Sequence, residues 1–203
     1  MEDSENLEAP QPSYITPEPP NRRRFLIPVV AILAITVASL MAVKASFQKP
    51  KTHLTQPVDL SEGSQLPDLE LVRMDGSKVS LSDLKHKVML INFWATWCEA
   101  CLEEMPSLVQ LRNQYSNRGF EVLGINVDDN PVPAASQMAS KLAINFPLFT
   151  DKNGELSSIF DLNAIPLTVI INEDRKILMV EAGGRDWNSD DIHQLLGKWL
   201  SET

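Results

Sequence analysis

Two thiols stand three positions apart in the stretch NFWATWCEAC, as Cys98 and Cys101, and the 203-residue chain holds no others. A disulfide across two intervening residues closes a tiny loop and constrains the unfolded chain little, so structural reinforcement explains the pair poorly. A structural zinc site takes about four ligands. The only histidines, His53, His86 and His193, stand at no metal-ligand spacing from the cysteines or from one another. Reactive thiol chemistry is the leading reading. A second class stays open, a carrier in which the two thiolates hold copper(I), a soft ion, with Met105 as a third donor. Tight copper binding without disulfide reductase activity would select that class.

The elements around the pair decide which thiol reacts. VMLINFWA, residues 88–95, is almost continuously apolar, as expected of a central strand covered on both faces. A helix from about Cys98 to Tyr115 follows. A thiol at its amino terminus meets unpaired backbone N–H groups and the positive dipole end, which favour the thiolate. Cys98 is therefore the expected exposed nucleophile, and Cys101, one turn on and facing inward, the resolving thiol. At ~100° per residue, Met105, Leu108, Leu111 and Tyr115 share the inward stripe of Cys101. Glu104 falls inside that stripe and Glu103 opposite it. A carboxyl group on an apolar face is desolvated and its pKa rises, so Glu104 is a candidate proton acceptor for Cys101. The alternative is a stripe-edge glutamate reaching solvent. Pro106 within this helix would remove a hydrogen bond and bend the axis; the alternative is a helix that ends at Met105, which the apolar spacing of Leu108, Leu111 and Tyr115 disfavours.

Around this unit, LPDLELVRMDGSKVSLSDLKHK reads as an edge hairpin turning at Asp75-Gly76. FEVLGINV is a second buried strand, 133–143 a helix, FPLFTD a short strand and 155–160 a brief helix. LTVIINEDRKILMVEAG is a hairpin turning at Glu173-Asp174, and 189–200 a last amphipathic helix. Alternating strands and helices closed by a hairpin and a helix give an α/β fold around one sheet.

The amino end carries a different message. Nineteen uncharged residues run from Phe25 to Val43, directly after Arg22, Arg23 and Arg24. At ~1.5 Å per residue the run approaches the ~30 Å hydrocarbon core of a bilayer. The arginines favour a cytoplasmic amino terminus and an exported carboxyl end, although Lys44, Lys49 and Lys51 weaken the asymmetry. VKAS (43–46) leaves signal-peptide cleavage open, but the run exceeds the ~7–15 residues of a signal-peptide core. The reading is a disordered cytoplasmic tail over 1–24, a transmembrane signal anchor over 25–43, a tether over 44–65 and a folded domain over 66–203. From Thr52 onward 12 Lys+Arg oppose 22 Asp+Glu, a net of −10, which makes the domain a poor candidate for nucleic acid binding. Outside the cytoplasmic membrane, thiols of this kind can be oxidised.

NFWATWCEAC, Pro106 eight residues after Cys98, and AIPLTVIINEDRKI before a terminal helix resemble the thioredoxin superfamily. The opening LPDLELVRMDGSKVSLSDLKHKVMLINFWATWC, and the insert from GFEVLGINVDD to DLNAIP, are similar to its membrane-anchored TlpA/ResA-like and CcmG-like branch. The resemblance implies a thioredoxin-like fold, a central mixed sheet flanked by helices, with an amino-terminal β-hairpin, a central insert and one preceding transmembrane helix. It implies a thiol–disulfide oxidoreductase with a redox-active Cys98–Cys101 disulfide, working as a reductase of client disulfides, with a role in cytochrome c maturation. The client would be an oxidised protein such as apocytochrome c, and the electron donor a DsbD/CcdA-type membrane protein. It implies no organic cofactor and no metal. Pro166, after Ile165, corresponds to the cis-proline facing the cysteines, whose neighbouring backbone pairs with an extended substrate segment. Trp97 lies where partners touch, with packing as its alternative, and Trp94 belongs to the core. Relatives place a glutamate at the position of Glu104. Two departures matter: Ala100 replaces the usual proline before the second cysteine, and Leu167 stands where many relatives have threonine. A thiol peroxidase is disfavoured, because the proline- and threonine-bearing loop expected before a peroxidatic cysteine is missing.

Overall fold

A computed structural model describes residues 57–202. The tail, the span over 25–43 and the tether up to residue 56 lie outside the described residues. Among the described residues, no helix is long and apolar enough to cross a membrane.

Seven strands form one mixed sheet: β1 (Glu70–Arg73), β2 (Lys78–Ser80), β3 (Val88–Trp94), β4 (Phe120–Asn126), β5 (Leu148–Thr150), β6 (Leu167–Asn172) and β7 (Ile177–Ala182), in the order β2-β1-β5-β4-β3-β6-β7. β3, β4 and β5 run parallel, while β1, β2, β6 and β7 pair antiparallel to their neighbours. Among the described residues the α-helices are α1 (Glu99–Tyr115), α2 (Pro131–Lys141), α3 (Glu155–Ile159) and α4 (Asp190–Glu202). This is the thioredoxin-like α/β arrangement, with the β1–β2 hairpin at the sheet edge.

The continuous apolar reading of β3 and β4 holds, since every residue of both strands is buried. Alternation divides their side chains between two cores. Val88, Leu90, Trp94, Phe120, Val122 and Ile170 face a cluster completed by α1, α4 and Ala135 of α2. Met89, Ile91, Phe93, Leu123, Ile125, Val169 and Ile171 face a second cluster closed by Leu66, Leu69, Leu81, Leu156 and Phe160. α1 therefore lies on the first face and α3 on the second.

Three boundaries differ from the sequence reading. α2 begins at Pro131 rather than Pro133, because proline suits the first helical turn, where its missing N–H would be unpaired anyway. It ends before Ala143, whose φ is +51°. The β6–β7 connection is longer than a two-residue turn. Arg175 takes a φ of +64°, and Asn172 Oδ1 accepts the Lys176 N–H at 2.8 Å. Residues 57–65, read above as the end of a tether, lie against the domain. The Val58 N–H donates to the Ile159 carbonyl at 2.8 Å and the Gly63 N–H to that of Ile177 at 2.8 Å, while Val58 and Leu60 pack on the second core.

Candidate active site

The carboxyl end of β3 delivers the chain to the amino terminus of α1, and Cys98 is the N-cap of that helix. Its backbone is extended, its carbonyl accepts the first helical bond from the Leu102 N–H at 3.1 Å, and its Sγ accepts the Cys101 N–H at 3.2 Å. A sulfur at this position receives a backbone donor that the helix cannot otherwise use, and the arrangement favours negative charge on it. Cys98 and Cys101 are joined as a disulfide, with Cα atoms 5.2 Å apart.

The expectation of an exposed nucleophile needs correction. Cys98 is only 7% exposed in this oxidised form, against 0% for Cys101. The order of access is as expected, but Cys98 is sheltered by the segment before β6. There the Ile165–Pro166 bond is cis, and the Ile165 carbonyl oxygen lies 3.8 Å from Cys98 Sγ. The Pro166 carbonyl is already taken by the Gly183 N–H at 2.8 Å, so Ile165 is the residue whose carbonyl faces the cysteines. Trp97 is 71% exposed beside this junction, whereas Trp94 is fully buried. Met105, the third copper donor considered above, is fully buried in the core. Among the described residues, no cluster of three or more His, Cys, Asp or Glu side chains could hold a metal.

Behind Cys101 the structure brings together a polar group that the sequence only half revealed. Glu104 is 3% exposed, and Glu103 points to solvent. Asn92 Nδ2 donates to Glu104 Oε1 at 2.7 Å and also to Thr168 Oγ1 at 3.0 Å. Trp187 Nε1 donates to Glu104 Oε2 at 2.9 Å, and the Arg185 backbone N–H reaches the same oxygen at 3.4 Å. Burial pushes the Glu104 carboxyl above its usual range, and the bonds from Trp187, Asn92 and Arg185 pull part of that rise back. A cleft of about 490 Å³ runs past Glu104 between α1 and the β7–α4 loop, lined by Ala100, Glu103, Pro106, Arg185 and Asp186 among others. The two walls approach closely at Ala100, where a Cβ on Gly184 would fall 3.1 Å from the Ala100 carbonyl oxygen.

Two supports escaped the sequence reading. The Asp128 carboxylate accepts the Thr96 N–H at 3.2 Å and an Asn126 Nδ2 proton at 3.0 Å, so the turn after β4 holds the ATWC turn after β3. Asn92, a polar residue inside an otherwise apolar strand, was a visible signal of an internal polar partner. Trp187 left no comparable signal, because a tryptophan in a loop of otherwise polar residues has no periodicity to place it.

The arrangement suits dithiol chemistry: a sulfur at the helix N-cap that accepts a backbone N–H, and a partner sulfur one turn inside, with a buried carboxyl group one turn farther along α1. Comparison with known proteins agrees. The family model described as Redoxin matches residues 61–196. The thiol-disulfide oxidoreductase ResA of Bacillus subtilis is 33% identical over 124 residues, spanning 61% of this chain and 69% of that protein. ResA of Oceanobacillus iheyensis is 31% identical over 162 residues, spanning 80% of this chain and 83% of the relative. Among solved structures, a protein described as thiol:disulfide interchange protein DsbE from Chlorobium tepidum superposes with a TM-score of 0.63 at 26% identity. That match covers 70% of this chain and 99% of the other. The chain thus belongs to the Redoxin family and is a ResA/CcmG-like thiol–disulfide oxidoreductase of the thioredoxin superfamily.

Proposed function

We propose that this oxidoreductase is anchored in the cytoplasmic membrane by residues 25–43, faces the periplasm or its extracytoplasmic equivalent, and reduces disulfides in client proteins. An apocytochrome c is the client that the ResA-like resemblance favours, and a DsbD/CcdA-type membrane dithiol is the electron donor. The uncharged run after Arg22–Arg24 supports the topology. The observation that carries the chemistry is the Cys98–Cys101 pair at the α1 N-cap, with the Glu104 carboxyl group buried one turn behind Cys101.

In the reduced protein the Cys98 thiolate attacks one sulfur of the client disulfide. A Cys98–client bond forms, and the other client sulfur leaves as a thiolate that takes a proton. Cys101 then gives its proton to Glu104 and attacks Cys98 Sγ. The Cys98–Cys101 bond forms as the Cys98–client bond breaks, and the second client thiolate leaves. Two electrons have passed to the client, and the membrane dithiol returns the pair to its reduced state. The exposed Trp97, next to Cys98 in the chain, and the Ile165 carbonyl, 3.8 Å from Cys98 Sγ, form the surface that receives the client segment.

Trapping with Cys101→Ser in cells tests the reading. Mixed disulfides should accumulate on Cys98, disappear in the Cys98→Ser/Cys101→Ser double variant, and contain exported proteins with paired cysteines. Recovery of cytoplasmic proteins alone would contradict the proposed location. So would a reporter fused after Thr203 that is active only in the cytoplasm.

A further inference from the structure

We propose that Trp187, on the β7–α4 loop, is a positioning residue for thiol exchange: its indole N–H fixes Glu104 Oε2 behind Cys101 and favours the ionised carboxylate. The proposal rests on the reading that Glu104 accepts the Cys101 proton.

The loop is fastened along one face of α1. The Trp187 indole meets Glu104, the Trp187 backbone N–H donates to Ser107 Oγ at 3.0 Å, and Asn188 Nδ2 donates to Gln110 Oε1 at 2.9 Å. These acceptors are spaced by three, so they rise along a single helix face. The Trp187 ring is fully buried and carries the Arg185 guanidinium 5.3 Å from its centroid. That guanidinium is engaged by Glu181 at 3.0 Å and Asp191 at 2.6 Å, and it is the backbone N–H of Arg185 that reaches Glu104.

The surroundings leave Glu104 dependent on neutral donors. β3 and β6 face it with Asn92 and Thr168, neither of which titrates. α1 contributes Cys98, Cys101 and the solvent-facing Glu103, and the loop adds Asp186 beside the engaged Arg185. Among the described residues no cation touches the carboxylate to offset its burial. A donor aimed at a charged acceptor in such a place stabilises the ionised form more than the protonated one. Trp187 supplies the largest of the effects that oppose the burial of Glu104.

Trp187→Phe removes the N–H while keeping a ring under Arg185, and it leaves the Ser107 and Asn188 attachments intact. The test follows the Glu104 carboxyl carbon by NMR against pH in the oxidised, ¹³C-glutamate-labelled full-length chain, with the signal assigned by its loss in Glu104→Gln. A hydrogen bond to a charged group is worth enough to move the midpoint by roughly one pH unit, and the expected direction is upward. The pH profile for reduction of a small disulfide should move to higher pH by the same amount. Benzothienylalanine at position 187 keeps the shape without the N–H and should give the same shift, which covers the case of a poorly folding phenylalanine variant. If Glu104→Gln slows exchange but both position-187 variants keep the wild-type midpoint, Trp187 has no positioning role. If the midpoint moves but Glu104→Gln exchanges at the wild-type rate at every pH, the proposal falls with the proton-acceptor reading instead.

Discussion

On the sheet face toward α3, β3, β4 and β6 present Met89, Ile91, Phe93, Leu123, Ile125, Val169 and Ile171, all apolar and all buried. On the face toward α1 the same strands present Asn92 and Thr168 among Val88, Leu90, Trp94 and Ile170, and α1 answers with Glu104. One face is therefore an ordinary hydrophobic core. The other accepts a carboxyl group that burial disfavours, held by three donors, and among the described residues Asn92 Oδ1 finds no donor of its own. Polar groups buried at such expense concentrate where chemistry needs them, and here Glu104 stands one turn beyond Cys101 on α1. The apolar face supplies stability, and the face toward α1 gives up some of it to bury a carboxyl group.

The largest effect expected is on the chemistry. Cys98→Ser should abolish disulfide reduction and leave the fold intact, because Oγ can still cap α1. Activity within tenfold of the wild type would assign the nucleophile wrongly. On the opposite face, Phe160→Ala empties a 1% exposed site whose ring meets Phe93 at 4.8 Å between centroids. It should cost about 3–5 kcal/mol in denaturant unfolding. The pH profile of the folded fraction should not move, and a moved profile would show that the faces are not separable in this way.

A smaller effect links the two faces through stability. The folded-state pKa of Glu104 is raised, so over the interval above the unfolded value of ~4.3 the native protein binds more protons than the unfolded chain. The contribution of Glu104 to stability must then fall as pH rises from about 4 through its folded pKa. Exposed Asp59, Asp75 and Asp191 have lowered values and act in the opposite sense, so the difference between wild type and Glu104→Gln isolates the buried group. Urea midpoints across this range should show wild type losing stability relative to the Gln variant with rising pH; a constant difference would mean Glu104 is not perturbed. Smallest of all is Glu103→Gln. That side chain is exposed, and its replacement should change stability by less than about 0.5 kcal/mol and leave the exchange rate unaltered.

Much of this division was legible in the sequence because it depends on periodicity. The unbroken apolar run of β3 announced a strand buried on both sides, and the α1 wheel placed Glu104 inward and Glu103 outward. The CxxC pair and, through the family resemblance alone, Ile165-Pro166 mark the two ends of the site, although they lie far apart in the chain. Other parts depend on tertiary contacts that no local pattern records. Trp187 reaches Glu104 across 83 positions, and Asp128 holds Thr96 across 32. The shelter over Cys98 likewise comes from Ile165, 67 residues away, which is why helix-terminus logic alone made the sulfur too exposed. Residues 57–65 look like linker in composition, yet their backbone bonds to Ile159 and Ile177 bind them to the domain.

The central claim is that the buried carboxyl group on the α1 face serves the resolving thiol. The most direct measurement is the rate of disulfide reduction against pH for wild type, Glu104→Gln and Glu103→Gln under single-turnover conditions. Loss of a positioned proton acceptor should slow Glu104→Gln by about 10²-fold and remove the inflection due to Glu104, with Glu103→Gln superimposing on wild type. Equal rates and superimposable profiles for wild type and Glu104→Gln would contradict the account, leaving Cys98 and Cys101 to exchange without a carboxyl partner.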